Sequence, residues 1–184
     1  DLNSVNSTGN INIYGRSIDL DSGYDLVANG VGSGITLKAA DYIEISDGSS
    51  NTVETGLSRV QTNRGDLIFW SDVDNSGAGD VKIGWYSKLN TANGVEDKTA
   101  VSGGGDIVIA GGVDSTGDGR PDGYARGRAG VSWAIYLLPH LEIYSGGGDI
   151  VMRGRSNSSY GLLAYPSTEI FSGTGSIDLS GETT

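Results

Sequence analysis

The sequence predicts an all-β fold: a parallel β-helix, or β-solenoid, with loop insertions, as one domain over residues 1–184. Three observations carry this expectation. Short apolar-x-apolar alternations recur along the chain. Gly, Asn, Asp and Ser bound each of them. One string, Gly103-Gly104-Gly105-Asp106-Ile107-Val108-Ile109-Ala110-Gly111-Gly112, returns nearly unchanged as Gly146-Gly147-Gly148-Asp149-Ile150-Val151-Met152-Arg153-Gly154. Period 2 between turn residues is the strand signal, and a short unit written many times is the signal of stacked repeats.

The first copies are Thr8-Gly9-Asn10-Ile11-Asn12-Ile13-Tyr14-Gly15 and Gly32-Ser33-Gly34-Ile35-Thr36-Leu37-Lys38. Further alternations follow closely: Ile18 comes 7 residues after Ile11, and Ile43 comes 8 after Ile35. Arg64-Gly65-Asp66-Leu67-Ile68-Phe69 is a looser copy, with Val81-x-Ile83 behind it. The last copy is Gly173-Thr174-Gly175-Ser176-Ile177-Asp178-Leu179-Ser180-Gly181. Leu141-Glu142-Ile143 and Glu169-Ile170-Phe171 each precede a Ser-Gly corner and a further strand. The unit restarts at Gly130 and Gly161, 31 residues apart, a length that suits one three-sided coil with an insertion.

Stacking explains the composition. Inward apolar residues of one coil cover those of the next, so a single coil is unstable and the motif must repeat. Corners need backbone shapes that Gly and Asn adopt most easily. Four stretches break the rhythm: 21–31, 71–80, 84–101 and 112–130. Those near 71–80, 84–101 and 112–130 are expected to project as loops, where local function concentrates. No amphipathic helical stripe occurs. An antiparallel β-sandwich is the minor alternative, but only Asn29-Gly30 and Asn93-Gly94 offer a hairpin dipeptide.

Composition excludes several classes. The chain has 31 Gly, far above the usual ~7%, but only 3 Pro and no three-residue period, which excludes collagen. With 12 Lys+Arg against 23 Asp+Glu, its net charge of −11 disfavours nucleic acid. No cysteine and a single histidine, His140, leave no disulfide, thiolate or Cys/His zinc chemistry. No apolar run is long enough to span a membrane. The chain starts at Asp1 inside the repeat pattern, as a mature product or a segment of something longer would.

Two loops carry the sharpest local chemistry. In Asp114-Ser115-Thr116-Gly117-Asp118-Gly119-Arg120-Pro121-Asp122, oxygen side chains fall at positions 1, 3, 5 and 9, with Gly at 6. Asp72-Val73-Asp74-Asn75-Ser76-Gly77-Ala78-Gly79-Asp80 has the same offsets. This is the front half of a calcium loop of EF-hand type. Asp114, Thr116, Asp118 and Asp122, with Asp72, Asp74, Ser76 and Asp80, are therefore candidate calcium ligands. Position 12 is not Glu in either loop, since Ala125 and Ile83 stand there. Ordinary Asp-Gly turns are the competing reading.

Asp66, Asp106 and Asp149 recur at one place in the repeat, where Asp would cap the turn into each strand. Arg64-Gly65-Asp66 spells an adhesion tripeptide, but the repeat already demands Gly65 and Asp66. His140 is expected at a corner. Trp70, Trp85 and Trp133 are expected to pack against the body rather than to present a sugar platform. Asn6-Ser7-Thr8 and Asn157-Ser158-Ser159 fit the N-glycosylation pattern.

The units Gly104–Gly112, Gly147–Gly154 and Gly173–Gly181 resemble filamentous-haemagglutinin-type repeats of large bacterial surface and two-partner-secretion proteins. The resemblance covers residues 100–184 best and 1–60 loosely, and 61–100 departs from it. It implies a right-handed parallel β-helix, export to the bacterial cell surface or exterior, and adhesive or fibre-forming work. It implies no catalytic residues. The expected role is thus a non-enzymatic, extracellular structural or adhesive solenoid that self-associates or joins neighbouring repeats, with a surface glycan or receptor as a further partner. The alternative is a carbohydrate-active or carbohydrate-binding β-helix, using Asp114, Asp118, Asp122, Arg120, Arg126 and Arg128.

Overall fold

A computed structural model describes residues 2–45, 57–92 and 102–184. Sixteen strands occur there and no helix: β1 Val5–Ser7, β2 Ile11–Leu20, β3 Asp25–Ala28, β4 Ile35–Ile45, β5 Arg59–Thr62, β6 Leu67–Ser71, β7 Asp80–Ile83, β8 Lys88–Asn90, β9 Ile107–Gly111, β10 Ala125–Arg126, β11 Trp133–Leu137, β12 Glu142–Tyr144, β13 Ile150–Ser156, β14 Tyr160–Ala164, β15 Glu169–Phe171 and β16 Ile177–Thr183. The expected all-β class holds. Every pairing between these strands is parallel.

The pairings fall into three rows. In the first, Ile11, Ile35, Leu67, Ile107, Ile150 and Ile177 stand side by side. Ile13, Leu37, Phe69, Ile109, Met152 and Leu179 form its second apolar column. In the next row Ile18, Ile43, Val81, Ile135 and Leu162 align. In the third, Val5, Leu26, Val60, Leu89, Ile143 and Ile170 align along the six-stranded sheet. These columns face one another and make a single core, in which Leu37, Phe69, Leu89 and Ile109 have no exposed surface. Burying such side chains is worth about 1.5–3 kcal/mol each and is available only when the strands lie in register.

The loops differ from the sequence expectation. The stretch 21–31 contains β3, 84–101 contains β8, and 112–130 contains β10. In the first two, one large apolar residue, Leu26 or Leu89, points inward from a strand of three or four residues. That is too little for a visible period of 2. Residues 93–101, and with them Asn93-Gly94, lie outside the described residues. The 31-residue restart is not the period either. Trp133 pairs with Tyr160, so the return there takes 27 residues. Along the first row, returns range from 24 residues (Ile11 to Ile35) to 43 (Ile107 to Ile150).

Candidate functional site

The corner that leads into the first row is built the same way four times. Thr62 ends β5, and Thr91, Ser145 and Ser172 directly follow β8, β12 and β15. Their hydroxyls donate to the carbonyls of Gly65 (2.5 Å), Gly105 (2.6 Å), Gly148 and Gly175 (2.7 Å). Those four glycines lie against the backbone of the layer below. A Cβ on Gly65 would sit 2.2 Å from the Ser33 carbonyl oxygen. On Gly105 it would sit 2.3 Å from that of Gly65, and on Gly148 2.1 Å from that of Gly105. Close approach, rather than turn geometry alone, fixes glycine here.

The next residue makes a polar ladder. The Asp106 amide donates to Asp66 Oδ1 (2.9 Å), the Asp149 amide to Asp106 Oδ1 (2.8 Å) and the Ser176 amide to Asp149 Oδ1 (2.7 Å). Asn10 Oδ1 accepts the Gly34 amide in the same way (2.9 Å). The side chain–backbone bonds expected of these aspartates are present, but each reaches an amide at the start of the next strand in the row rather than the aspartate's own turn. Each adds one rung to the backbone ladder for the following layer. The Ser176 amide and hydroxyl hold the Asp149 carboxyl below its usual range.

Arg120 closes this ladder from outside. Its Nη1 donates to Asp106 Oδ2 (2.6 Å) and its Nη2 to Asp66 Oδ2 (2.5 Å). The segment carrying it leaves β9 at Gly112, whose carbonyl accepts the Trp70 indole N–H (2.6 Å). The strap thus runs from the end of β9 back to the start of β6 and β9. Beneath it Ile68, Trp70, Val108 and Ala110 form a second buried cluster, with Val73 beside it and the Lys38 ammonium 3.8 Å from the Trp70 ring centroid. The outward face of the first row is therefore apolar and covered at β6 and β9. Gly65 is fixed by its contact and Asp66 by Arg120, so Arg64-Gly65-Asp66 is not a free recognition loop.

A second charged cluster lies at the base of loop 72–80. Asp72 and Asp80 are buried. Asp72 Oδ1 accepts the Gly77 amide (3.0 Å) and the Ser76 hydroxyl (3.2 Å), while its Oδ2 lies 3.8 Å from Arg126 Nε. Asp80 Oδ1 lies 2.9 Å from Arg128 Nε, and the Arg128 guanidinium covers the Tyr42 ring at 4.1 Å. Gly79 and Arg126 exchange backbone hydrogen bonds (2.6 and 2.7 Å) that pin the two segments together. Burial raises Asp80 to about 6, with the Arg128 charge working against that rise.

The calcium candidates are distributed as follows. In loop 72–80, positions 1, 3 and 5 come together: Asp74 Oδ1 accepts the Ser76 amide (3.2 Å), beside the Asp72–Ser76 contact. Position 9, Asp80, turns to Arg128. In the other loop, Asp114 accepts the amides of Gly117 (2.6 Å), Asp118 (3.2 Å) and Gly119 (2.9 Å), and Thr116 Oγ1 lies 3.5 Å from Asp114 Oδ1. Asp118 accepts the Arg120 amide (2.9 Å). Asp122 accepts the Ser115 hydroxyl (2.6 Å) and the Thr116 amide (2.9 Å), bonds that lower its pKa. Among the described residues no three acidic, His or Cys side chains converge as a metal-holding group. The residues of the carbohydrate-active alternative separate likewise: Arg120 serves the ladder, Arg126 and Arg128 the buried acids, and Asp114 and Asp122 their own loop.

His140 stands at a corner, exposed, with φ +61°. Tyr86 (φ +56°) holds the equivalent place one layer earlier, and their rings stack at 4.6 Å. Trp133 stacks on Tyr136 (4.7 Å), whose edge meets Tyr165 (5.6 Å). These aromatics pack largely on one another. The hydroxyl column and the Arg120 clasp were not foreseen. The first had a legible signal, Ser/Thr-x-x-Gly in Thr62–Gly65, Ser145–Gly148 and Ser172–Gly175; the second joins residues 54 apart and had none. Compared with known proteins, the chain matches no family model, and no curated protein and no solved structure is significantly similar to it.

Proposed function

We propose that the chain is a right-handed parallel β-solenoid with a structural or adhesive role outside a bacterial cell, as a segment of a large surface protein or a fibre subunit. The observation that carries the reading is the column of Ile11, Ile35, Leu67, Ile107, Ile150 and Ile177, in register across six layers. The devices that repeat within the fold, its hydroxyl, glycine and aspartate columns, join layers. Of the charged groups that the carbohydrate-active alternative would use, Arg120, Arg126 and Arg128 are tied into ion pairs, and Asp114, Asp118 and Asp122 into hydrogen bonds of their own loop. Over β6 and β9 the outward face is apolar and buried, so a binding or load-bearing role fits better than turnover.

Single-molecule pulling tests this. A stack held by nearest-neighbour contacts is expected to unravel in several steps. Each step releases one turn, 24 to 43 residues as counted along the first row, at ~3.5 Å per residue. One event that frees the whole chain would overturn the solenoid.

Calcium belongs to the same proposal as a stabiliser of loops 72–80 and 114–122. The amide-lined Asp114 cradle and the Asp72–Ser76 contact support it. Chelation is expected to lower the melting temperature by a few degrees, the scale of about 1 kcal/mol, and calcium to restore it. An unchanged melting temperature in both directions removes calcium from the reading.

A further inference from the structure

We propose that the cleft beside Arg128 binds a sugar acid, a ring bearing one carboxylate and several hydroxyls. The site rests on the adhesive reading and deepens it by naming a ligand class. It uses no residue of the first-row columns that carry the solenoid.

The cleft lies where the first row turns into the second, and three successive layers build it. Loop 72–80 supplies Gly77 and Ala78, the segment before β11 supplies residues 127–131, and the turn after β13 supplies Asn157 and Ser158. Its volume is about 330 Å³, room for one hexose-sized residue and the small end of ligand clefts. The walls are fixed before any ligand arrives. Gly79 and Arg126 exchange backbone hydrogen bonds (2.6 and 2.7 Å) that hold the first two together. The Ser158 hydroxyl donates to the Val131 carbonyl (3.2 Å) and ties in the third. A preformed cleft loses little affinity to ordering.

Its charge is opposite to that of the protein. The chain has a net charge of −11, yet among the described residues no carboxylate lines this cleft, and its one charged wall residue is Arg128. The ion-pair partner of Arg128, Asp80, is buried and outside the wall. Asp80 Oδ1 lies 2.9 Å from Arg128 Nε but accepts no hydrogen bond. The guanidinium also covers the Tyr42 ring at 4.1 Å. Charge and stacking therefore orient the Arg128 side chain, which stays 36% exposed. Among the described residues its Nη1 and Nη2 donate no hydrogen bond, so the fork that matches a carboxylate is unspent.

The rest of the wall suits a polyol. The Val131 amide donates to the Arg128 carbonyl (3.0 Å) and Gly130 has φ +84°, so residues 128–131 form a tight turn. The Ala129 and Gly130 amides donate to no group among the described residues. Thr184 Oγ1 donates to Asn157 Oδ1 (2.9 Å), which leaves Asn157 Nδ2 as a further donor. Ala78, Ala129 and Val131 offer small apolar contacts to the C–H faces of a ring. No aromatic or large apolar pocket lines the cleft to anchor a peptide side chain. The net negative charge opposes a polyanion and so favours a single acid on an otherwise neutral glycan.

The test is a titration of the whole chain followed by amide chemical shifts in two-dimensional NMR, with methyl glucuronide as probe and methyl glucoside as its uncharged counterpart. The glucuronide should give saturable shifts at residues 77–78, 127–131 and 157–158, and the glucoside should bind at least about tenfold more weakly, since it lacks the charge-assisted pair. Arg128→Lys keeps a charge beside Asp80 but loses the planar fork, and should weaken glucuronide binding by a similar factor. Ala129→Phe, at an exposed position, fills the cleft and should abolish binding with the melting temperature unchanged. Should Arg128→Lys fail to fold, Ala129→Phe decides alone. No saturable shift at tens of millimolar glucuronide overturns the site, as does equal binding of the glucoside or full binding by Ala129→Phe. Tighter binding of N-acetylaspartate methylamide than of the glucuronide would assign the cleft to an acidic peptide and overturn the sugar. None of these failures touches stepwise unravelling, so the solenoid is judged separately.

Discussion

Replacing Gly148 with alanine is expected to destabilise the fold by about 3–5 kcal/mol, enough to abolish folding in a marginal domain. The new Cβ would lie 2.1 Å from the Gly105 carbonyl oxygen and 2.4 Å from its carbonyl carbon. Both contacts are backbone, so no side chain can swing aside. Relief requires the layers to part. That would break the Ser145 hydroxyl contact to the Gly148 carbonyl and the rung from the Asp149 amide to Asp106. Gly117→Ala is the control. Gly117 has φ +77°, and its Cβ would meet nothing within 4 Å. Only the left-handed backbone penalty of about 1–2 kcal/mol applies. Urea midpoints for the two variants decide the matter. A loss at Gly148 no larger than that at Gly117 would mean that the layers give way at little cost and that interlayer contact does not select the glycines of the repeat.

That contrast explains how much could be read from the chain. The first row was legible because each of its strands carries two inward apolar residues behind a Gly-Asp or Gly-polar corner, as in Gly105–Ile109. The third row was legible in Leu141-Glu142-Ile143 and Glu169-Ile170-Phe171, which form β12 and β15, and nearly silent elsewhere. Asp25–Ala28 and Lys88–Asn90 each contribute one large apolar residue, and one residue has no period. Their strand state comes from the layers on both sides, which is a tertiary effect. The loops were placed approximately, because insertions show as polar stretches. Their partners were not, since nothing local to Arg120 points to Asp66, nor anything local to Arg128 to Asp80.

Replacing Arg128 with methionine should cost about 3 kcal/mol near neutral pH, and the loss should shrink as the solution is acidified. Asp80 is 1% exposed and depends on the Arg128 guanidinium at 2.9 Å, so removing that charge strands a carboxylate in the interior. The sign follows from its titration. Burial raises Asp80 from 3.8 to about 6 in the folded protein, so the native state holds a proton that the unfolded chain releases. Its contribution to stability is fully present below 3.8 and declines as pH rises to about 6. Arg128 opposes the rise, so its removal extends the decline to higher pH. Asp122, Asp149 and Glu182 have lowered pKa values and favour folding as pH rises, so the total profile mixes both slopes. Asp80→Asn isolates the term. Subtracting its urea-midpoint profile from that of the unsubstituted protein should leave a fall between about 4 and 6. The same subtraction with Arg128→Met should show that fall continuing above 6. A flat difference would mean that Asp80 is charged and satisfied throughout, with the Arg126–Arg128 segment and loop 72–80 held together by the Gly79–Arg126 backbone pair instead.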